Sequence, residues 1–154
     1  MAKQNKFNLK GAEKKARKAL ENAVVEIGNT AKNFFVENFR KQGFDDKSVQ
    51  KWKPRKRTTY KTKSGKVVDD TTRAILVKTG DLRRSIIRVP NRSALNVKIQ
   101  TDLPYAKVHN EGLMGKAFGK HPFKMPKRQF IGDSYNLNEK VKAVIVKRLD
   151  KVFT

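Results

Sequence analysis

The chain has 154 residues, 37 Lys and Arg against 14 Asp and Glu, a formal charge of +23, and no cysteine. That length fits one domain with a real core, and the lack of thiols excludes disulfides, thiolate nucleophiles, zinc fingers and iron–sulfur ligation. A compact monomer so charged repels itself, so a polyanion or acidic neighbours are the expected remedy.

The start, MAKQNKFNLKGAEKK, is basic but has no apolar stretch behind it, and no segment approaches the roughly 18 apolar residues of a membrane span. The chain therefore reads as soluble and unexported. From residue 9, Leu9, Ala12, Ala16, Leu20, Ala23, Ile27, Ala31, Phe34 and Asn38 recur at steps of three or four. This is one face of an α-helix with a single polar member at its end. Gly43 is the expected stop, giving a long helix over 9–43 with some 30 helical residues, roughly 45 Å, which either runs through Gly28–Asn29 or bends or splits there. Its alanine-rich first half buries little area per turn and needs a neighbour to pack against.

Residues 44–74 show no sustained period, carry Pro54 and Gly65, and are rich in hydroxyl and basic side chains. They read as an extended basic excursion pinned at its near end by Trp52. Loops this long are functional or disordered, and this one has the composition of a segment that orders on contact. Lys51, Lys53, Arg55, Lys56, Arg57, Lys61, Lys63 and Lys66, interleaved with Trp52 and Tyr60, suit phosphate contacts with occasional stacking. The bland reading is a solvated loop that keeps the protein soluble.

Residues 75–154 read as an α+β core. TGD opens a short helix capped by Thr79 or Asp81, with Leu82 facing in. Alternation at Ile87 and Val89, and again at Leu95, Val97 and Ile99, with PNRSA between, predicts an antiparallel hairpin. LPYAKVHNEG reads as one or two helical turns closed by Gly112, GLMGKAFGKHPFKMPK as a Gly/Pro/Lys loop, and QFIG as a short strand. Leu137, Val141, Val144, Ile145, Arg148, Leu149 and Val152 mark a closing amphipathic helix. The fold class is α+β in a single domain over 1–154: a long N-terminal helix, a small antiparallel sheet with a hairpin, short helices and a C-terminal amphipathic helix.

Catalytic constellations are absent. His109 and Glu111 begin the His-x-Glu signature of zinc deaminases, but that signature needs cysteines as ligands. His121 lies among lysines that repel a cation. The pairs Asp45–Asp46 and Asp69–Asp70 are adjacent and solvated by nearby lysines. GLMGKAFGKHP lacks the spacing and hydroxyl of a phosphate loop, and neither Ser85 nor Ser134 has a histidine at a recognisable spacing. No enzyme, metal or cofactor is indicated, and no sequence-reading nucleic-acid motif is present.

Four short elements recur in order: WKP at 52–54, LVKTGDLRRSI at 76–86, YAKVHNEG at 105–112 and PKRQFIG at 126–132. Together they resemble the phage virion morphogenesis family, similar to the tail-completion and neck proteins of tailed bacteriophages, over residues 52–134. The resemblance implies a structural box of Tyr105, Ala106, His109 and Gly112 beside the hairpin, with no catalytic role for the histidine. Tyr105 and Val108 would add apolar bulk, and the imidazole would satisfy a backbone group. Gly80 would allow a tight turn into the helix of Leu82 and Ile86. Arg128 belongs to the last element, in which Phe130 would fill the core and Gly132 would turn the chain.

The resemblance further implies a non-enzymatic ring subunit, about six to twelve copies, at the virion's head–tail neck. Its partners would be further copies of itself, portal or adaptor proteins and tail proteins, with sequence-independent contact to channel DNA, and assembly would take place in the host cytoplasm. The rival is a monomeric, sequence-independent nucleic-acid-binding protein of ribosomal or nucleoid type.

Overall fold

In the computed structural model, residues 8–55, 59–69, 73–117 and 120–153 are described. Helix α1 spans Leu9–Lys41, begun by the Asn8 side chain, which accepts the Gly11 N–H at 3.0 Å. Its last residue, Lys41, lies two positions before Gly43. Gln42 takes the left-handed cap with φ 51°, and its N–H returns to the Asn38 carbonyl. Gly43 serves another purpose: it opens a strand where a Cβ would lie 2.6 Å from the Gln50 carbonyl oxygen.

The helix is unbroken at Gly28. That glycine is buried under the following hairpin, where a Cβ would meet Val97 at 2.9 Å and Arg88 at 3.1 Å. Its role is close approach between helix and hairpin rather than a break.

The basic excursion is built of two small hairpins, which the lack of period did not predict. Strand β1 (Gly43–Asp45) pairs antiparallel with β2 (Val49–Lys51), and β3 (Thr59–Lys61) with β4 (Val67–Asp69). Each strand has three residues, and β2 and β3 are exposed on both faces, so no alternation is written into them.

Helix α2 (Asp81–Arg84) is entered through Gly80 at φ 80°. The Thr79 hydroxyl donates to the Asp81 carboxylate, and the Ser85 N–H returns to the Asp81 carbonyl at 2.8 Å. The predicted hairpin follows as β5 (Ile87–Asn91) and β6 (Asn96–Gln100), with Arg88 opposite Ile99 and Pro90 opposite Val97. Residues directly opposite in an antiparallel pair share a face. The face with Val97 and Ile99 therefore turns toward α1, and the apolar residues of β5 turn the other way: Ile87 and Val89 are 39% and 45% exposed.

Helix α3 (Ala106–Glu111) ends at Gly112, φ 72°, where a Cβ would lie 2.9 Å from the Lys127 backbone. A left-handed residue in so tight a contact has to be glycine. The Gly/Pro/Lys stretch predicted as a loop carries a hairpin of β7 (Met114–Ala117) and β8 (His121–Lys124), with β8 exposed throughout.

Helix α4 (Tyr135–Phe153) starts where the Ser134 hydroxyl accepts the Leu137 N–H, and it runs antiparallel along α1. Arg148 reaches Glu26 at 2.6 Å, while Lys151 and Val152 share a groove with Lys15 and Ala19. This is the neighbour that the alanine-rich half of α1 requires.

The core gathers Phe34, Phe35 and Phe39 of α1 with Phe44, Trp52, Leu82, Ile86, Ala106, Phe130 and Leu137. Phe39 is its hub, edge-on to Trp52 at 5.5 Å and tilted against Phe130 at 5.3 Å. QFIG is not a strand. Its backbone groups are taken up by side chains from three other parts of the chain. Trp52 Nε1 donates to the Gln129 carbonyl (2.7 Å), and Asn38 Nδ2 donates to the Phe130 carbonyl (3.1 Å). The Asn110 carboxamide oxygen accepts the N–H groups of Phe130 and Ile131 at 2.9 and 3.0 Å, and its Nδ2 donates to the Ile131 carbonyl at 3.0 Å. A buried backbone must find partners, and here no strand edge is needed to supply them.

Candidate functional site

Two regions hold the candidate residues. The first is the basic excursion, whose near end is tied into the fold. Trp52 is buried, and Lys51 Nζ donates to the Lys41 carbonyl at 2.8 Å, helping to satisfy the end of α1. Lys53 is exposed, but its carbonyl accepts from Arg128. Arg55 turns inward, donating to the carbonyls of Arg73 and Ala74 at 2.8 and 2.7 Å. Lys56 and Arg57 lie outside the described residues. Lys61, Lys63 and Lys66 are exposed on the β3–β4 hairpin, whose turn is held by the Lys66 N–H donating to the Thr62 hydroxyl at 3.1 Å. The predicted cationic run thus divides into an inward part that braces the chain and an outward hairpin that presents charge.

The second region is a cavity of about 410 Å³ between the segment before α2, helix α3 and the stretch ahead of QFIG. Tyr105, His109, Gly80, Leu82 and Arg128 line it together. Of the structural box, Ala106 is the member that packs into the core. Tyr105 is 43% exposed rather than buried bulk, and its ring stands edge-on to His109 at 6.1 Å. Gly132 does not need a left-handed backbone; a Cβ there would collide with the Gln129 side chain at 2.2 Å.

Arg128 is 7% exposed. Its Nε donates to the Lys53 carbonyl at 3.1 Å, Nη2 to the Pro54 carbonyl at 3.5 Å, and Nη1 to the Met125 sulfur at 3.8 Å. None of these acceptors is charged. Burial, and then the neighbouring Arg55, pushes the guanidinium below its usual value.

His109 does not satisfy a backbone group through its imidazole as the sequence suggests: Nδ1 is buried without a hydrogen-bond partner. Burial first, and then the charge of Arg128, holds its pKa below the ordinary histidine value. The unfolded chain therefore binds a proton more readily than the folded one. Folding stability should fall as pH drops below about 6.5 and level off once the folded histidine titrates. His109→Gln should keep fold and assembly and flatten that slope in urea titrations at several pH values. An unchanged slope would remove His109 as its source.

The backbone-satisfying role belongs to Asn110 next door and to Asn38, which is fully buried and also accepts the Asp45 N–H at 3.1 Å. Asn38 was visible as the polar member of the α1 stripe; Asn110 carried no signal beyond its place in YAKVHNEG. Among the described residues no group of three His, Asp or Glu stands together as a metal site, and no helix is long and apolar enough to cross a membrane.

No curated protein and no solved structure matched the chain in comparison. The model of the phage virion morphogenesis family matches residues 5–150, which takes in the Trp52 anchor, the Gly80 turn, the His109 box and the Phe130 segment just described. With nearly its whole length accounted for, this chain belongs to the phage virion morphogenesis family.

Proposed function

We propose that the chain is a non-enzymatic structural subunit of the phage head–tail junction, closing with further copies into a ring around the DNA channel between portal and tail. Family membership supports a role in building the virion. The observation that carries the finer reading is the outward face of the β5–β6 hairpin. Ile87 and Val89 are presented to solvent together on one face of the hairpin in a chain of net charge +23, and an apolar strip of this kind fits burial against the next copy.

The charge fits the same role. At +23 per copy, a ring of about six to twelve copies is tenable only if DNA, acidic neighbours or counterions offset the repulsion. Lys61, Lys63 and Lys66 stand on a hairpin that projects charge without serving the core, and they suit sequence-independent contact with channel phosphates.

The test is light scattering coupled to size exclusion on nuclease-treated protein at low and moderate salt. The expected result is an assembly of six or more subunits that persists at moderate salt, because apolar burial outlasts screening. Val89→Arg should reduce it to monomers with helix content intact. A monomer that takes up nucleic acid at low salt and loses it steeply as salt rises would favour the ribosomal or nucleoid type of binding protein instead.

A further inference from the structure

The cavity beside α3 has the chemistry of a carboxylate receptor. At its inner wall lies the Arg128 guanidinium, 7% exposed, with acceptors that are two carbonyl oxygens and a thioether. A guanidinium offers five N–H donors in a flat fork. The fork is left with donors to spare and no counter-charge, although a buried cation is costly unless an anion meets it. Lys78 lines the same cavity from an exposed position. One acid, Asp81, also lines it, but its carboxylate is already held by Arg84 at 2.6 Å and by the Thr79 hydroxyl.

Arg55 and Arg73 line the cavity too, each with partners of its own, and the apolar part of the wall decides the kind of anion. Ile75, Leu76 and Met125 contribute apolar surface, Tyr105 stands exposed among the lining residues, and the volume of about 410 Å³ accommodates a side chain. Leu76 holds a left-handed backbone at φ 61°, a conformation a bulky residue seldom adopts and one that recurs at binding sites. A duplex phosphate lies on a convex, polar backbone and is better met by open lysines such as those of the β3–β4 hairpin. A concave site with an apolar wall and a guanidinium inside suits an acidic side chain with an apolar neighbour, gripped by two parallel hydrogen bonds.

We propose that this cavity binds a carboxylate-bearing segment of a partner protein, with Arg128 as the anion-gripping residue and the Ile75, Leu76 and Met125 surface receiving the apolar side chain beside it. Assignment of the partner to the virion rests on the proposed assembly role, whereas the cavity's preference for a carboxylate rests on its own geometry.

The experiment is a nuclear magnetic resonance titration of the full chain, nuclease-treated, with the blocked peptide acetyl-Leu-Glu-Leu-amide at constant ionic strength. The Arg128 Nε–H signal and the Gly80 and Tyr105 amides should shift saturably. The glutamine peptide acetyl-Leu-Gln-Leu-amide should bind at least tenfold more weakly. Arg128→Gln should abolish the shifts at Gly80 and Tyr105; if that variant does not fold, the wild-type comparison of the two peptides decides. Equal response to both peptides, no response at Arg128, or a response to inorganic phosphate or a DNA duplex stronger than to the glutamate peptide would each overturn the proposal. Light scattering on the same sample separates the two readings: an assembled ring that ignores the peptide sinks the receptor alone, and a monomer that binds it sinks the ring alone.

Discussion

Aspartate in place of Phe130 is expected to leave no cooperatively folded protein. Phe130 is 1% exposed and packs on Phe39, which in turn carries Trp52. Removing the ring costs about 3–5 kcal/mol in lost burial and cavity formation, and a carboxylate left there without a partner adds several more. The sum is comparable to the whole stability of a small domain, about 5–15 kcal/mol. Circular dichroism and urea titration read the result directly. A soluble variant with a sharp unfolding transition near that of the parent would remove Phe130 from the centre of the core.

Asn110→Leu should be nearly as damaging for a different reason. Leucine fills the volume but leaves the N–H groups of Phe130 and Ile131 and the carbonyl of Ile131 without their partner. Each orphaned buried group costs about 1–3 kcal/mol, and because these three bonds are only partly buried the loss expected lies toward the low end of their sum, about 3–5 kcal/mol, visible as a lower urea midpoint at unchanged slope. Asn110→Asp keeps the acceptor for both N–H groups and gives up only the donor to Ile131, and should therefore lose less than the leucine variant. If leucine cost under about 1 kcal/mol, the side chain would not be holding that segment.

The parts of the fold written as long periods were readable. The 3.6-residue recurrence from Leu9 located α1, and the one from Leu137 located α4, because each helix buries one stripe against the same core. The β5–β6 hairpin was legible as alternation, yet which face of β5 turned inward was not. Alternation fixes that successive residues oppose one another, and the crossing of Gly28 under Arg88 and Val97 decides the rest. The small hairpins at 43–51, 59–69 and 114–124 were missed because strands of three or four residues, with β2, β3 and β8 exposed throughout, carry no burial pattern.

QFIG misled for the opposite reason. Phe130 and Ile131 have strand-forming side chains, but their backbone groups go to Asn38 and Asn110, and side-chain amides leave no periodic trace. At the candidate site, the cationic run and the His109 box were visible as residues. That Arg55 braces residues 73–74 while Arg128 lines a cavity with no acid paired to its guanidinium depends on chain crossings that spacing does not encode.

The same short segment also governs how the chain reaches its native state. The three side chains that hold residues 129–131 come from positions 92, 77 and 20 or 21 residues away, so none of these bonds forms until distant parts of the chain have met. Closing such long loops costs entropy before any contact repays it, which slows folding and makes the last stage all-or-none. A ribosome must release the segment around Phe130 before the core can close, so the nascent N-terminal helix waits with its aromatic stripe uncovered. The lone tryptophan sits on that seam, so its fluorescence should follow the moment of closure.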